Sequence, residues 1–106
     1  MKENHMNDEK LAQAFKALSD PTRIRILRLL PTSPVCEAVY NVSELAEELK
    51  LPQPNVSHHL KILLQSGLVQ NKKMCRDVYY WIDENAFREA LAGLDGVLAL
   101  DEVKAE

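Results

Sequence analysis

Residues 43–69 read SELAEELKLPQPNVSHHLKILLQSGLV, and the organisation of the whole chain follows from this stretch. It divides into two short helical segments at a proline-marked corner. Ser43 is placed to cap the first, with Glu44 in the first turn, where the helix dipole favours negative charge. Leu45, Ala46 and Leu49 share one helical face. Leu51-Pro52 ends the segment, because a residue preceding proline is pushed out of the α region. The second segment restarts at Gln53-Pro54, where the proline's missing N–H costs nothing. It runs to Ser66 and is closed by Gly67, a natural C′ residue. Two helices joined in this way match the helix-turn-helix, whose second helix enters the DNA major groove.

The facing of that second helix supports the match. Val56, Leu60 and Leu63 lie at i, i+4 and i+7 and point inward. Gln53, Asn55, Ser57, His58 and Lys61 are polar, and Pro54, Ser57, His58 and Lys61 share the opposite side. Gln and Asn pair bidentately with adenine, Ser and His reach base edges, and Lys meets guanine or phosphate. The plainer alternative is a surface helix with a solvated polar face. Such helices carry Glu/Lys pairs, which this face lacks, and its polar groups crowd at the helix N-terminus.

A net charge of −3 over 106 residues argues at first against a nucleic-acid partner, but its distribution answers the objection. Residues 50–82 carry Lys50, Lys61, Lys72, Lys73 and Arg76 against Asp77, a net +4. Residues 83–106 are net −5 and residues 1–49 net −2. Positive charge therefore gathers on the helix-turn-helix and the segment after it, as in a DNA-binding module. The length fits one domain in the size range where dimerisation often completes the core. No apolar run suits a membrane span and no signal-peptide pattern is present, so a soluble, cytoplasmic protein is expected. Two cysteines 39 residues apart form neither a disulfide framework nor a CxxC motif.

Upstream, a helix is expected from Asn7 or Asp8, with Leu11, Ala14, Phe15 and Leu18 as its apolar stripe. Asp20 and Pro21 then cap and start a second helix over 21–30. That helix is expected to bury Ile24, Leu27 and Leu30 and to project Arg23, Arg25 and Arg28 outward. Residues 31–41 form a connector, and Val42 is read as a short strand completing the later sheet. Downstream, LVQNKK (68–73) and VYYWI (78–82) are β-rich runs around the turn MCRD, a hairpin wing. Asp83 caps a last helix whose stripe is Phe87, Ala90, Leu91, Leu94 and Leu98, apolar enough to need a partner. Gly93 and Gly96 weaken its second half. One domain is expected over 7–100, with residues 1–6 and 101–106 as flexible ends.

From Ala17 to Asp83 the chain resembles the ArsR/SmtB family of bacterial winged-helix repressors. The segments that carry the resemblance are ALSDPTRIRILRLL (17–30), VSELAEEL (42–49), QPNVSHHLKIL (53–63), SGLV (66–69) and VYYWID (78–83). Their order and spacing are far more specific than any one of them. The resemblance implies a winged helix-turn-helix fold, mostly α with a small β wing, in the order helix, helix, strand, helix, helix, strand, strand, helix. It implies a homodimeric repressor on an operator in double-stranded DNA. The helix over 53–66 would read the major groove, Lys72, Lys73 and Arg76 would meet phosphates, and two copies would sit about 34 Å apart. Phe15, Phe87, Leu91 and Leu94 are expected at the dimer interface. Two departures stand out: the connector is longer than the family's, and Cys75 takes the place of a glycine at the wing tip.

The effector is not fixed by the residues. Family members that sense metals use a Cys-x-Cys pair in the first helix of the helix-turn-helix or histidines in the last helix. Here positions 44–48 read ELAEE and the last helix has no histidine, so no metal site of either kind is expected. His58 and His59 point about 100° apart on a helix and cannot face one ion. His58 is assigned to the groove side and His59 to a structural hydrogen bond. Cys36 and Cys75 remain as candidate effector residues for oxidants, metalloids or reactive sulfur, with no disulfide expected between them in one subunit. Unreactive thiols and a small organic ligand are the alternatives. Nothing calls for a cofactor, and no Ser-His-Asp set, Gly-rich phosphate loop or HExxH points to an enzyme. The competing reading of the whole is a winged-helix protein-interaction module without a specific DNA site.

Overall fold

The computed structural model describes residues 6–34, 40–74 and 76–105, with side chains as far as Leu98. Helix α1 (Asp8–Ala17) is capped by Asn7, whose side chain accepts from the Lys10 N–H at 2.8 Å. Helix α2 (Pro21–Leu29) is capped by Asp20, which accepts from the N–H groups of Thr22 and Arg23 at 2.7 and 3.3 Å. Pro21 stands in the first turn, where its fixed φ suits the helix.

Helix α3 (Val42–Leu49) begins earlier than the sequence suggests. Its cap is Asn41, not Ser43. Asn41 Oδ1 accepts from the Glu44 N–H at 2.8 Å while Glu44 Oε1 accepts from the Asn41 N–H at 2.9 Å. This reciprocal box satisfies two orphan donors, where Ser43 would satisfy one. Val42 is thereby drawn into the helix, and the strand expected there does not form. Among the described residues the sheet has two strands. The connector meets the sheet elsewhere: the Ile82 N–H donates to the Pro31 carbonyl at 2.8 Å.

Lys50 ends α3 in the left-handed conformation, φ 58° and ψ 46°. The chain turns through Leu51 and Pro52 into α4 (Gln53–Gln65), and Gly67 follows at φ 84°. A side chain at Gly67 would be strained by that φ alone. Strand β1 (Val69–Met74) pairs antiparallel with β2 (Asp77–Ile82), in register from Val69↔Ile82 to Met74↔Asp77. The strands run further than expected, to Met74 and from Asp77, which shortens the turn between them. Arg76 takes it at φ 78°, left-handed backbone that a non-glycine residue enters at a cost.

Helix α5 (Glu84–Ala105) starts on Asp83, which accepts from the Ala86 N–H at 3.1 Å. Its backbone stays helical past Leu100, where the sequence reading ends the folded domain. Gly93 has a use there: a Cβ on it would stand 3.1 Å from Leu11 Cδ1. The missing side chain lets α5 lie close to α1.

The core gathers Ile26, Leu45, Val56, Leu60, Leu63, Leu68 and Val69, all fully buried, with Ala14, Ala17 and Ala90 at its α1 and α5 border. Each large apolar side chain buried there contributes about 1.5–3 kcal/mol. In α2 the buried face is Ile26 and Leu27, followed by Leu30, whereas Ile24 is half-exposed. The reason is that α2 packs on α3 and α4 together, which selects one side of a short helix whose apolar residues spread over more than one face.

Candidate nucleic-acid interface

Helix α4 is held against the core through Val56, Leu60 and Leu63, all buried. That fixes its rotation and turns Gln53, Pro54, Asn55, Ser57, His58 and Lys61 outward, every one exposed. Among the described residues none of Gln53, Asn55, Ser57 or Lys61 is tied to another side chain. Their donors and acceptors remain available to an outside partner.

The adjacent histidines diverge as helix geometry requires. Their rings meet edge-on at 5.5 Å between centroids, yet His58 is exposed and His59 is half-buried. His59 Nδ1 lies 3.1 Å from Arg23 NH1. A guanidinium only donates, so Nδ1 accepts. Arg23 also donates through Nε to the Ala17 carbonyl at 2.6 Å and through NH2 to that of Lys16 at 3.4 Å. It therefore covers the orphan carbonyls at the end of α1 and joins them to α4. This corrects the outward placement of Arg23, which helical periodicity alone suggests: the long side chain folds back. Arg25 and Arg28 are exposed, as expected.

Asp20 belongs to the same joint. Desolvation pushes its carboxyl upward, but the Thr22 and Arg23 N–H groups, with His59 and Arg23 nearby, bring it below its ordinary 3.8.

On the wing, Lys72, Lys73 and Arg76 are exposed. The register separates the two lysines: Lys73 stands opposite Val78 and Lys72 opposite Tyr79. Successive strand residues point to opposite faces. Asn71, Lys73, Val78 and Tyr80 therefore share the face of the buried Val69, and Gln70, Lys72, Tyr79 and Trp81 share the other. Val78 and Tyr80 line an open cleft with Asn41, Val42, Ser43, Gln53 and Asp77. The Lys73 face thus looks across the cleft toward the start of α4. Sequence reasoning groups the lysines, although strand alternation already separates neighbours. Cys75, with Cys36, lies outside the described residues.

A second surface is apolar. Leu91, Leu94, Val97 and Leu98 of α5 are 55, 49, 53 and 61 % exposed. Phe15 and Phe87 are instead half-buried against the chain's own core. The expected interface set is thus divided, and Val97 joins the exposed group. Among the described residues no helix is long and apolar enough to cross a membrane.

Residues 20–71 match the family model for bacterial regulatory proteins of the arsR family. An uncharacterized HTH-type transcriptional regulator of Methanocaldococcus jannaschii is 40% identical over 88 residues, covering 82% of this chain and 93% of that one. The transcriptional repressor SdpR of Bacillus subtilis is 31% identical over 77 residues, 73% of this chain and 80% of the repressor. In structure, an ArsR-like transcriptional regulator from Rhodococcus superposes with a TM-score of 0.79 at 29% identity, over 92% of this chain and 87% of that one.

Proposed function

The chain belongs to the ArsR/SmtB family of winged-helix transcriptional regulators, and from that premise we propose how it works. It is a DNA-binding regulator, and it acts as a homodimeric repressor that an effector releases from its operator. Helix α4 lies in the major groove with Gln53, Asn55, Ser57 and His58 at base edges and Pro54 against the groove wall. Lys61, Lys72, Lys73 and Arg76 meet phosphates, Lys73 from the cleft side of the wing. Residues 7–100 form one DNA-binding and dimerisation unit, in which the exposed α5 leucines cover those of a second copy. Cys36 and Cys75 are the candidate thiols for sensing the effector.

The single observation that carries the reading is the uncommitted polar side of α4, turned outward by a fully buried opposite side. The test is a titration of the protein across salt concentrations on two duplexes, one enriched from a randomised pool by the protein and one scrambled. Counterion release gives a log–log slope of roughly −0.9 per phosphate neutralised, and base reading gives a gap between the duplexes. A shallow slope with no gap would instead support a protein-interaction module.

A further inference from the structure

We propose that Asn41 is a positioning residue for DNA binding, clasping the wing to the helix-turn-helix through Asp77. The inference rests on the DNA-binding reading above and adds how the two reading elements are held in register. Both ends of the Asn41 amide are in use. Its Oδ1 caps α3 through the Glu44 N–H, and its Nδ2 donates to Asp77 Oδ2 at 3.2 Å. Asp77 opens β2 beside the turn residue Arg76. One side chain therefore touches the start of the helix-turn-helix and the far end of the wing.

The wing's other described anchoring holds its base and its middle, where Tyr80 packs against the core. Val69 is buried, the Ile82 N–H meets Pro31, the Asp83 N–H meets the Leu68 carbonyl, and Gln70 Nε2 donates to Asp83. From Tyr80 the strand runs on to Asp77 over roughly 10 Å, at about 3.3 Å per residue. Over such a lever, a tilt of about 20° displaces the tip by roughly 3 Å, a whole hydrogen-bond length. Lys73 and Arg76 ride on that lever, whereas Gln53 and His58 are fixed to the core by α4. The clasp spans the cleft that separates the two sets. Without it, fewer molecules hold the wing where both sets engage DNA together, and the apparent dissociation constant rises as that fraction falls. A hydrogen bond of ordinary net strength sets the limit at about fivefold per subunit.

Asn41→Ser tests this, since serine caps a helix as well as asparagine but cannot reach Asp77, and it leaves the charge unchanged. Asp77→Ala is made both alone and together with Asn41→Ser, and affinity for the duplex enriched by the wild-type protein is measured where all four proteins are fully folded. The expected result is a two- to fivefold weakening by Asn41→Ser at an unaltered salt slope. Asp77→Ala should be less favourable to binding in the wild-type background than in the Asn41→Ser background by that same factor. The backbone amide of Lys73, near the clasped end of the wing, reports it without DNA: its ¹⁵N order parameter should fall in Asn41→Ser. The exchanged pair Asn41→Asp with Asp77→Asn, which restores a donor opposite an acceptor at constant charge, should return it to the wild-type value. Additive effects in the affinity cycle would overturn the proposal, as would an unchanged order parameter. If Asn41→Ser does not fold, the exchanged pair against Asn41→Asp decides on the same readout. Failure of the wild-type protein to enrich any duplex would instead overturn the DNA reading, and this proposal with it.

Discussion

Helices α4 and α5 are both amphipathic and both rest one side on the same core, but they differ in what they leave outside. The outer side of α4 is Gln53, Asn55, Ser57, His58 and Lys61, and that of α5 is Leu91, Leu94, Val97 and Leu98. A polar face tolerates water and can trade it for base edges and phosphates when DNA arrives. An exposed apolar stripe gains by leaving water, and a second copy of the same stripe is the self-complementary way to do so. On the proposed function, the contrast divides the partners: a charged one that comes and goes at α4, and a second copy held at α5.

The largest effect expected from this contrast is at α5. Leu91→Asp places a charge in the middle of the stripe, and burying each such leucine contributes about 1.5–3 kcal/mol. Sedimentation should show monomers, and binding to the enriched duplex should be lost with them. A wild-type protein that sediments as a monomer at micromolar concentration would break the assignment of α5.

The wing lysines sharpen the other half. Lys73→Ala should weaken binding to enriched and scrambled duplexes alike and reduce the salt slope by roughly 1.8, the share of one phosphate for each of the two subunits. Lys72→Ala, on the far face of the ribbon, should do less by the same titration. Equal losses would mean that the wing lies edge-on to the DNA rather than presenting one face.

The smallest effect concerns the joint beneath α4. The Asp20 carboxyl titrates below its ordinary value when folded. Its charge therefore adds stability that is fully present above the unfolded value of 3.8 and is lost as pH falls through the lower folded value. Asp20→Asn keeps a capping side chain and removes the charge. Denaturation midpoints of the two proteins should differ near neutral pH and converge in acid below that value. Midpoints that stay apart in acid would place the effect in capping geometry rather than charge.

Much of this arrangement was legible in the sequence, because local chemistry decides it. Asn7, Asp20-Pro21 and Asp83 announce helix starts, and Gly67 announces an end that needs positive φ. The two sides of α4 were equally plain, since one is wholly apolar and the other has no leucine or valine. What was missed depends on competition between neighbours or on distant packing. Ser43 and Asn41 both suit a cap, and the choice turned on a reciprocal bond with Glu44 three residues past Asn41. In α2, apolar residues at 24, 26, 27, 29 and 30 offer more than one inner face. Only the positions of α3 and α4 select Ile26 over Ile24. Arg23 projects outward on a helical wheel, yet its reach brings it back to the α1 carbonyls and His59. The division between half-buried Phe15 and Phe87 and exposed Leu91 and Leu94 likewise depends on how closely α5 approaches α1 at Gly93.

The central claim is that the outer side of α4 reads bases, and the affinity of Gln53→Ala and His58→Ala for enriched and scrambled duplexes tests it most directly. Each substitution should leave folding intact and cost about 1–3 kcal/mol on the enriched duplex, with little change on the scrambled one. Equal losses on both duplexes would contradict the account, since they would show these side chains meeting the backbone rather than the sequence.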